Sequence, residues 1–254
     1  MKVRYKFCKC LVSALFFAVV PNLALQGRID AYVLPSEQLL QFMAPRFSEF
    51  ETLVVSHTVE RKDEEGIQLF EEILTMKGPG FLHAAPAEGA GNQARVIDRS
   101  FRNLFLASSQ AELRALLSGA GVGLDRVSYK RVDGTVAYLI GERSAYSPKL
   151  AVEKERFLPL LFCYSSRLAH GSEFIRVTFR DYRQVESGWY PFEILCSSDA
   201  GWEERYRVRS VEVNVPVDPS LFQSSQEEPR PAETPHSDER IDAIIRDLEQ
   251  KYGR

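Results

Sequence analysis

The 254-residue sequence is poor in the residues that site chemistry most often needs. Its four histidines, His57, His83, His170 and His236, lie far apart, and neither they nor the four cysteines fall in an HxH, HExxH or CxxC-pair spacing. A structural or catalytic zinc needs such ligands gathered at close spacing, so the pattern excludes a metal motif. No GxSxG sequence occurs, which removes the nucleophile elbow of the α/β-hydrolases. Gly119-Ala120-Gly121-Val122-Gly123 is glycine-rich, but it follows an expected helix and enters an expected strand. A phosphate loop needs the reverse order, so this stretch reads as a connector. The acidic pairs Glu64-Glu65 and Glu203-Glu204 are adjacent and point apart in a strand, the habit of a solvated edge. The expectation is a non-enzymatic protein without metal or cofactor.

A long apolar run and a surplus of positive charge are also missing. The longest apolar stretch, Leu11 to Leu25, is interrupted by Ser13, Pro21 and Asn22 and is too short to span a bilayer comfortably. It follows Lys2, Arg4, Lys6 and Lys9 and precedes a short polar segment ending at Ala31, the pattern of a cleaved signal peptide over residues 1–31. The mature chain is then expected to begin at Tyr32 and to work outside the cytoplasm, in the periplasm of a Gram-negative bacterium. Cys8 and Cys10 lie before the apolar run, where lipid attachment cannot use them. The first 31 residues carry Lys2, Arg4, Lys6, Lys9 and Arg28 against Asp30, a net +4, so their removal takes the chain from −3 to −7. An acidic chain is a poor partner for polyanions, which argues against nucleic acid and anionic membrane surfaces. Cys163 and Cys196 remain, on strands expected to have one other between them, too far apart for a bridge, so two buried thiols are expected.

What is present is β-pattern. Leu53, Val55 and Val59 alternate with polar residues, and Ile67 to Met76 forms a second run before Gly78-Pro79-Gly80. Asp133-Gly134 is a type I′ turn signal between Val127 to Val132 and Val136 to Ile140. Ile175, Val177 and Phe179 alternate, and so do Tyr190, Phe192, Ile194 and Cys196. The phase of Tyr206 and Val208 is offset by one from Val211, Val213 and Val215, which predicts a β-bulge near Ser210. Phe157 to Tyr164 is apolar throughout and reads as a strand covered on both faces. Two helices interrupt the strands. Ser36 is placed as the cap of one bearing Leu39, Leu40, Met43 and Phe47, and Ser109 as the start of another with Leu113, Leu116 and Leu117. The fold class is mainly β with two helices over one face of a sheet. The strands hold more large aromatics than a single layer buries, which predicts an apolar groove between sheet and helices. Its candidate lining is Leu40, Met43, Val55, Leu113, Tyr138, Ile140, Phe179, Phe192 and Ile194.

Beyond the β-region, Gln223 to Ser237 holds Pro229, Pro231 and Pro235 among Ser, Glu and Thr and is expected to be a disordered linker, residues 223–237. Over 238–254, Asp238 precedes Ile241, Ile244, Ile245, Leu248 and Tyr252 at helical spacing, an amphipathic helix that would dock over the groove mouth or bind an envelope partner.

The start Tyr32-Val33-Leu34-Pro35-Ser36-Glu37-Gln38-Leu39-Leu40 and the segment Leu150-Ala151-Val152-Glu153-Lys154-Glu155-Arg156-Phe157-Leu158-Pro159-Leu160 are two of four informative stretches. The others are Asp181-Tyr182-Arg183 with Gly188-Trp189-Tyr190-Pro191-Phe192, and Val213-Asn214-Val215-Pro216-Val217-Asp218-Pro219-Ser220-Leu221-Phe222. Together they resemble the LolA-like outer-membrane lipoprotein-sorting proteins across residues 32–222. The resemblance implies an unclosed antiparallel β-barrel with covering helices, and a monomeric carrier that holds lipoprotein acyl chains or other lipid in an apolar cavity. It also implies a cargo-handling turn of the form Lys-Arg-Pro; Lys77 and Pro79 match it, whereas Gly78 stands where the arginine would be. The Asp-Gly-Lys-Thr-Leu-Trp strand start of those carriers is missing around Val96 to Phe105. The alternative is an envelope sensor or interaction scaffold of the same fold with no transport role.

Overall fold

The computed structural model describes residues 33–64, 66–78, 80–86, 98–168, 171–186 and 188–222. The expected signal peptide, the linker, the C-terminal helix and Pro79 lie outside the described residues. Ten strands alternate with short helical segments. Helix α1, Ser36–Met43, runs into a 3₁₀ turn at Ala44–Arg46 and precedes β1, Thr52–Asp63, β2, Gly66–Lys77, and β3, Phe81–Pro86. A second 3₁₀ segment, Ser100–Phe105, leads to α2, Gln110–Gly119. Then follow β4, Val127–Val132, β5, Thr135–Gly141, β6, Lys149–Glu153, β7, Pro159–Leu168, β8, Gly171–Val185, β9, Gly188–Ser198, and β10, Glu203–Val213, with a last 3₁₀ turn at Pro219–Phe222.

All ten strands form one sheet in the order β3-β2-β1-β10-β9-β8-β7-β6-β5-β4, antiparallel at every pair and not closed into a barrel. Local chemistry sets the corners. Asp133 and Gly134 both take positive φ, as the two-residue hairpin between β4 and β5 requires, and Val132 pairs with Thr135. Ser56 opposes Ser210 but His57 opposes Val208, so Arg209 is the extra residue of the bulge that reconciles the two apolar phases of β10. The sheet joins its first and last long strands through β1 and β10, and Asn214 fastens that joint. At φ 55 its side-chain oxygen accepts from the Glu51 and Thr52 amides at 2.9 and 3.3 Å while its amide donates to Glu49 O at 2.7 Å. Phe222 then packs on Phe81, ring centroids 5.7 Å apart, so the Pro219–Phe222 turn seats on the β3 edge.

Two expectations change in detail. Ser36 is inside α1 rather than at its cap; Pro35 holds that position, and the Ser36 hydroxyl instead donates to Leu124 O at 2.6 Å, tying α1 to the loop before β4. Ser109 does cap α2, accepting from the Glu112 amide at 3.2 Å. The run from Phe157 begins with a turn: Phe157 has φ 58 and its ring meets Phe42 at 4.8 Å, so the strand starts only at Pro159. From Leu161 to Tyr164 it is buried on both faces. Leu161 and Cys163 join Ala137, Leu139 and Ala151 in an apolar cluster on one face, whereas Phe162 and Tyr164 face the other way. Cys163 and Cys196 are both free and buried, with β8 between their strands, and burial pushes both thiols up.

Gly188 is a close-approach position. The ring of Phe50, itself 2 % exposed, lies where a Gly188 Cβ would stand. Replacing Gly188 with Ala is expected to lower stability by about 1–3 kcal/mol, because a seated ring cannot give way as a flexible chain end can. Denaturant unfolding checks this, and the double variant Gly188→Ala/Phe50→Leu is expected to regain most of the loss.

Candidate functional site: the inner face of the sheet

Cross-strand rows show how the sheet assembles one face. Val59, Tyr206, Ile194 and Phe179 stand opposite one another on β1, β10, β9 and β8. The next row runs Arg61, Glu204, Cys196, Val177, Phe162, Leu150 and Ile140, from β1 across to β5. Side chains two apart on a strand share a face, so both rows belong to the inner face, the one the helical segments cover. Of the sequence-predicted lining, Val55, Tyr138, Ile140, Phe179 and Ile194 are buried strand residues in phase with these rows. Leu40 and Met43 of α1 and Leu113 of α2 are buried as well, in two helices that pack on each other. Phe192 is half-buried and carries the Arg183 guanidinium over its ring at 4.3 Å. Lys77 is exposed at the end of β2, opposite Thr52.

The cover is largely aromatic. Phe105, from the Ser100–Phe105 segment, touches Phe47 at 5.5 Å, Phe179 at 5.3 Å and Tyr190 at 5.1 Å, and Phe101 lies 6.2 Å from Phe179. Such tilted and edge-on pairs each add about 0.5–1.5 kcal/mol beyond the area they bury. A separate depression of about 340 Å³, at the β4–β5 rim, is lined by Arg126, Ser128, Glu142, Arg143 and Ser144 among others. It contains none of the predicted lining residues.

Charge inside the inner face is what the sequence reading missed. Arg61 Nε donates to Glu204 Oε1 at 2.6 Å, with both side chains almost wholly buried, and the Tyr206 hydroxyl donates to the other Glu204 oxygen. Glu204 is therefore no solvated edge: its neighbour Glu203 takes the outward phase, which leaves Glu204 in the inner row. Beside it Glu72 takes His57 Nε2 at 2.9 Å and Arg99 Nη1 at 2.7 Å. Arg102, wholly buried, donates from Nη1 to Tyr190 Oη at 2.9 Å and lies over the Tyr206 ring at 4.6 Å. The signal was in the phase. Arg61 is in step with Val55, His57 and Val59, Glu72 with Leu74 and Met76, and Glu204 with Tyr206, so a charge at an apolar beat marks a buried polar site.

Burial drives His57 down to about 4, opposed by its hydrogen bond to Glu72, so the ring is neutral near pH 7 and Nε2 carries the proton given to Glu72. Burial alone would raise Glu72, but the His57 hydrogen bond and the Arg99 charge outweigh it and hold the carboxyl below its usual range. A depressed histidine means that the unfolded chain takes up the proton first as pH falls. Stability is expected to be unaffected by His57 above about pH 6.5 and to decline as pH drops from there, by about 3 kcal/mol on reaching pH 4. The Glu72 contribution follows the same sign and is lost below its usual range, under about pH 4.5. Unfolding midpoints measured across pH 4.5–7.5 are expected to slope in the wild type and to flatten in His57→Gln.

No family model matches this chain, and no curated protein matches its sequence. Solved structures do match in shape. One is an outer membrane lipoprotein-sorting protein domain from Vibrio parahaemolyticus, at 12% identity and TM-score 0.47, covering 74% of this chain and 96% of that one. Another is a LolA superfamily protein from Nitrosomonas europaea, at 9% identity and TM-score 0.45, covering 74% and 97%. A third is a DUF1329 family protein from Desulfovibrio piger, at 12% identity and TM-score 0.45, covering 75% and 96%.

Proposed function

We propose that this protein is a periplasmic, non-enzymatic binder that holds acyl chains of lipoproteins or other lipids against the inner face of its sheet, in service of outer-membrane sorting. The observation that carries the reading is the covering of that face. Val55, Phe179, Ile194, Tyr138 and Ile140 are buried on an unclosed sheet, and the Ser100–Phe105 segment lays Phe101 and Phe105 against Phe179. On the apolar side that α1 and α2 bury, another apolar body can take their place at little cost, because the hydrophobic effect is non-directional, while Arg99 and Arg102 hold the Ser100–Phe105 segment where it is. A buried methylene contributes about 0.8 kcal/mol, so a chain of roughly 16 carbons offers on the order of 12 kcal/mol before the costs of binding. Leu40, Met43 and Leu113 would line the helical side, and Lys77 with Pro79 would form the turn that meets cargo. The LolA-like signatures in the sequence support the same reading.

An environment-sensitive apolar dye is expected to bind the folded protein saturably, at one dye per chain, and to be displaced by fatty acid or lysolipid. Phe179→Glu is expected to weaken dye binding at least about tenfold by placing a charge on an apolar wall. Thermal unfolding of the same variant separates lost binding from lost fold. A well-folded wild type that shows no saturable dye binding removes the carrier reading.

A further inference from the structure

The inner face holds three buried arginines and two buried glutamates in one cluster. Arg61 is matched by Glu204 and Arg99 by Glu72, whereas Arg102 has no carboxylate partner among the described residues. Its Nη1 is used on Tyr190 Oη, but Nε and Nη2 have no hydrogen-bond partner among the described residues although the side chain is fully buried. Those two N–H groups form one edge of the guanidinium fork, the edge whose parallel donors match the two oxygens of a carboxylate. A buried cation with an unused bidentate edge is costly unless something anionic completes it. Asp98 is nearby in sequence, but its carboxylate accepts from the Ser100 amide at 2.7 Å, at an exposed position. His57 Nδ1 is also without a partner among the described residues, and at neutral pH it supplies an acceptor and no charge to offset Arg102.

The surroundings say what the anion is attached to. Arg102 packs at 5.2 Å from the ring of Phe101, which lies 6.2 Å from Phe179. Its partner Tyr190 lies 5.1 Å from Phe105, which meets Phe179 and Phe47. Two runs of aromatic side chains thus lead from the apolar wall to the guanidinium. We propose that Arg102 receives the anionic end of an acyl lipid, its Nε and Nη2 holding two oxygens of a carboxylate or phosphate while the hydrocarbon lies along Phe101, Phe105 and Phe179. This rests on the acyl-binding reading above and adds to it a choice of lipid, acyl anions over neutral chains of equal length.

The test measures displacement of the apolar dye from the mature chain at pH 7.5 by palmitate, hexadecanol and acetate, each below its aggregation limit. Palmitate is expected to bind at least about tenfold tighter than hexadecanol, the difference that one charge-assisted bidentate contact provides, and acetate is expected to displace nothing. Arg102→Met should abolish the preference, bringing palmitate to the level of hexadecanol in the same variant. Equal affinity of the wild-type protein for palmitate and hexadecanol overturns the anion site and leaves the acyl-binding reading standing. Displacement by neither lipid overturns both. Displacement by acetate as strong as by palmitate shows a site for free anions and overturns the lipid assignment. The wild-type comparison does not depend on the variant. If Arg102→Met unfolds, Tyr190→Phe, which frees Nη1 and loosens the fork while keeping the ring, is expected to shrink the preference for palmitate.

Discussion

An antiparallel sheet of ten strands that does not close has two faces to cover and no barrel interior to do it with. The order β3-β2-β1-β10-β9-β8-β7-β6-β5-β4 leaves free edges at β3 and β4. The inner face must be covered by whatever the rest of the chain supplies. Among the described residues that supply is small: α1 has 8 residues, α2 has 10, and the 3₁₀ segment at Ser100–Phe105 has 6. Helices this short are not stable alone and exist here because they bury an apolar side against the sheet or each other. The dependence runs in both directions, since the strands would expose Phe179, Tyr190 and Tyr206 without them. On the proposed function, the shortness of α1 and α2 is what would let a lipid chain take their place.

The cover is also located by charge. Arg99 and Arg102 both come from the start of the 3₁₀ segment, and they meet Glu72 on β2 and Tyr190 on β9. These contacts have geometry, while packing of phenylalanines has little, so the ionic cluster fixes where the segment sits and the rings supply most of the energy. Breaking one partner of a buried pair leaves the other charge stranded, which costs more than the pair contributes. The half of the inner face near β1, β2 and β10 is thereby the stiffer half. Toward β5 and β6 the same face is apolar, with Ile140, Leu150 and Val152 buried and no ionic pair among the described residues joining that region to a helix.

The strands were legible because alternation and turn chemistry agreed. Asp133-Gly134 announces its hairpin, and the phase slip between Val208 and Val211 announces the bulge at Arg209. The burial of Val55, Tyr138, Ile140, Phe179 and Ile194 was legible as well, since they are the large apolar members of those alternations. What escaped was polar. Glu204 read as solvent-facing because it adjoins Glu203, although the β10 phase sets them on opposite faces. Arg61 stands in the charged run Glu60-Arg61-Lys62-Asp63 and drew no reading, although it keeps step with Val59. Arg102 had no phase to reveal it: it sits in a 3₁₀ segment whose position depends on contacts with β9 and β10, far away in sequence. β3 was not anticipated either, since Phe81–Pro86 has neither clear alternation nor a long apolar run.

The central claim is that the inner face is a place for acyl chains rather than a closed core. Native mass spectrometry of the protein purified from cells without detergent addresses it most directly. The account predicts a second charge-state series displaced by the mass of one acyl lipid per chain, which disappears after organic extraction and returns when fatty acid is added back. A single series at the bare polypeptide mass, unchanged by added fatty acid, would contradict it.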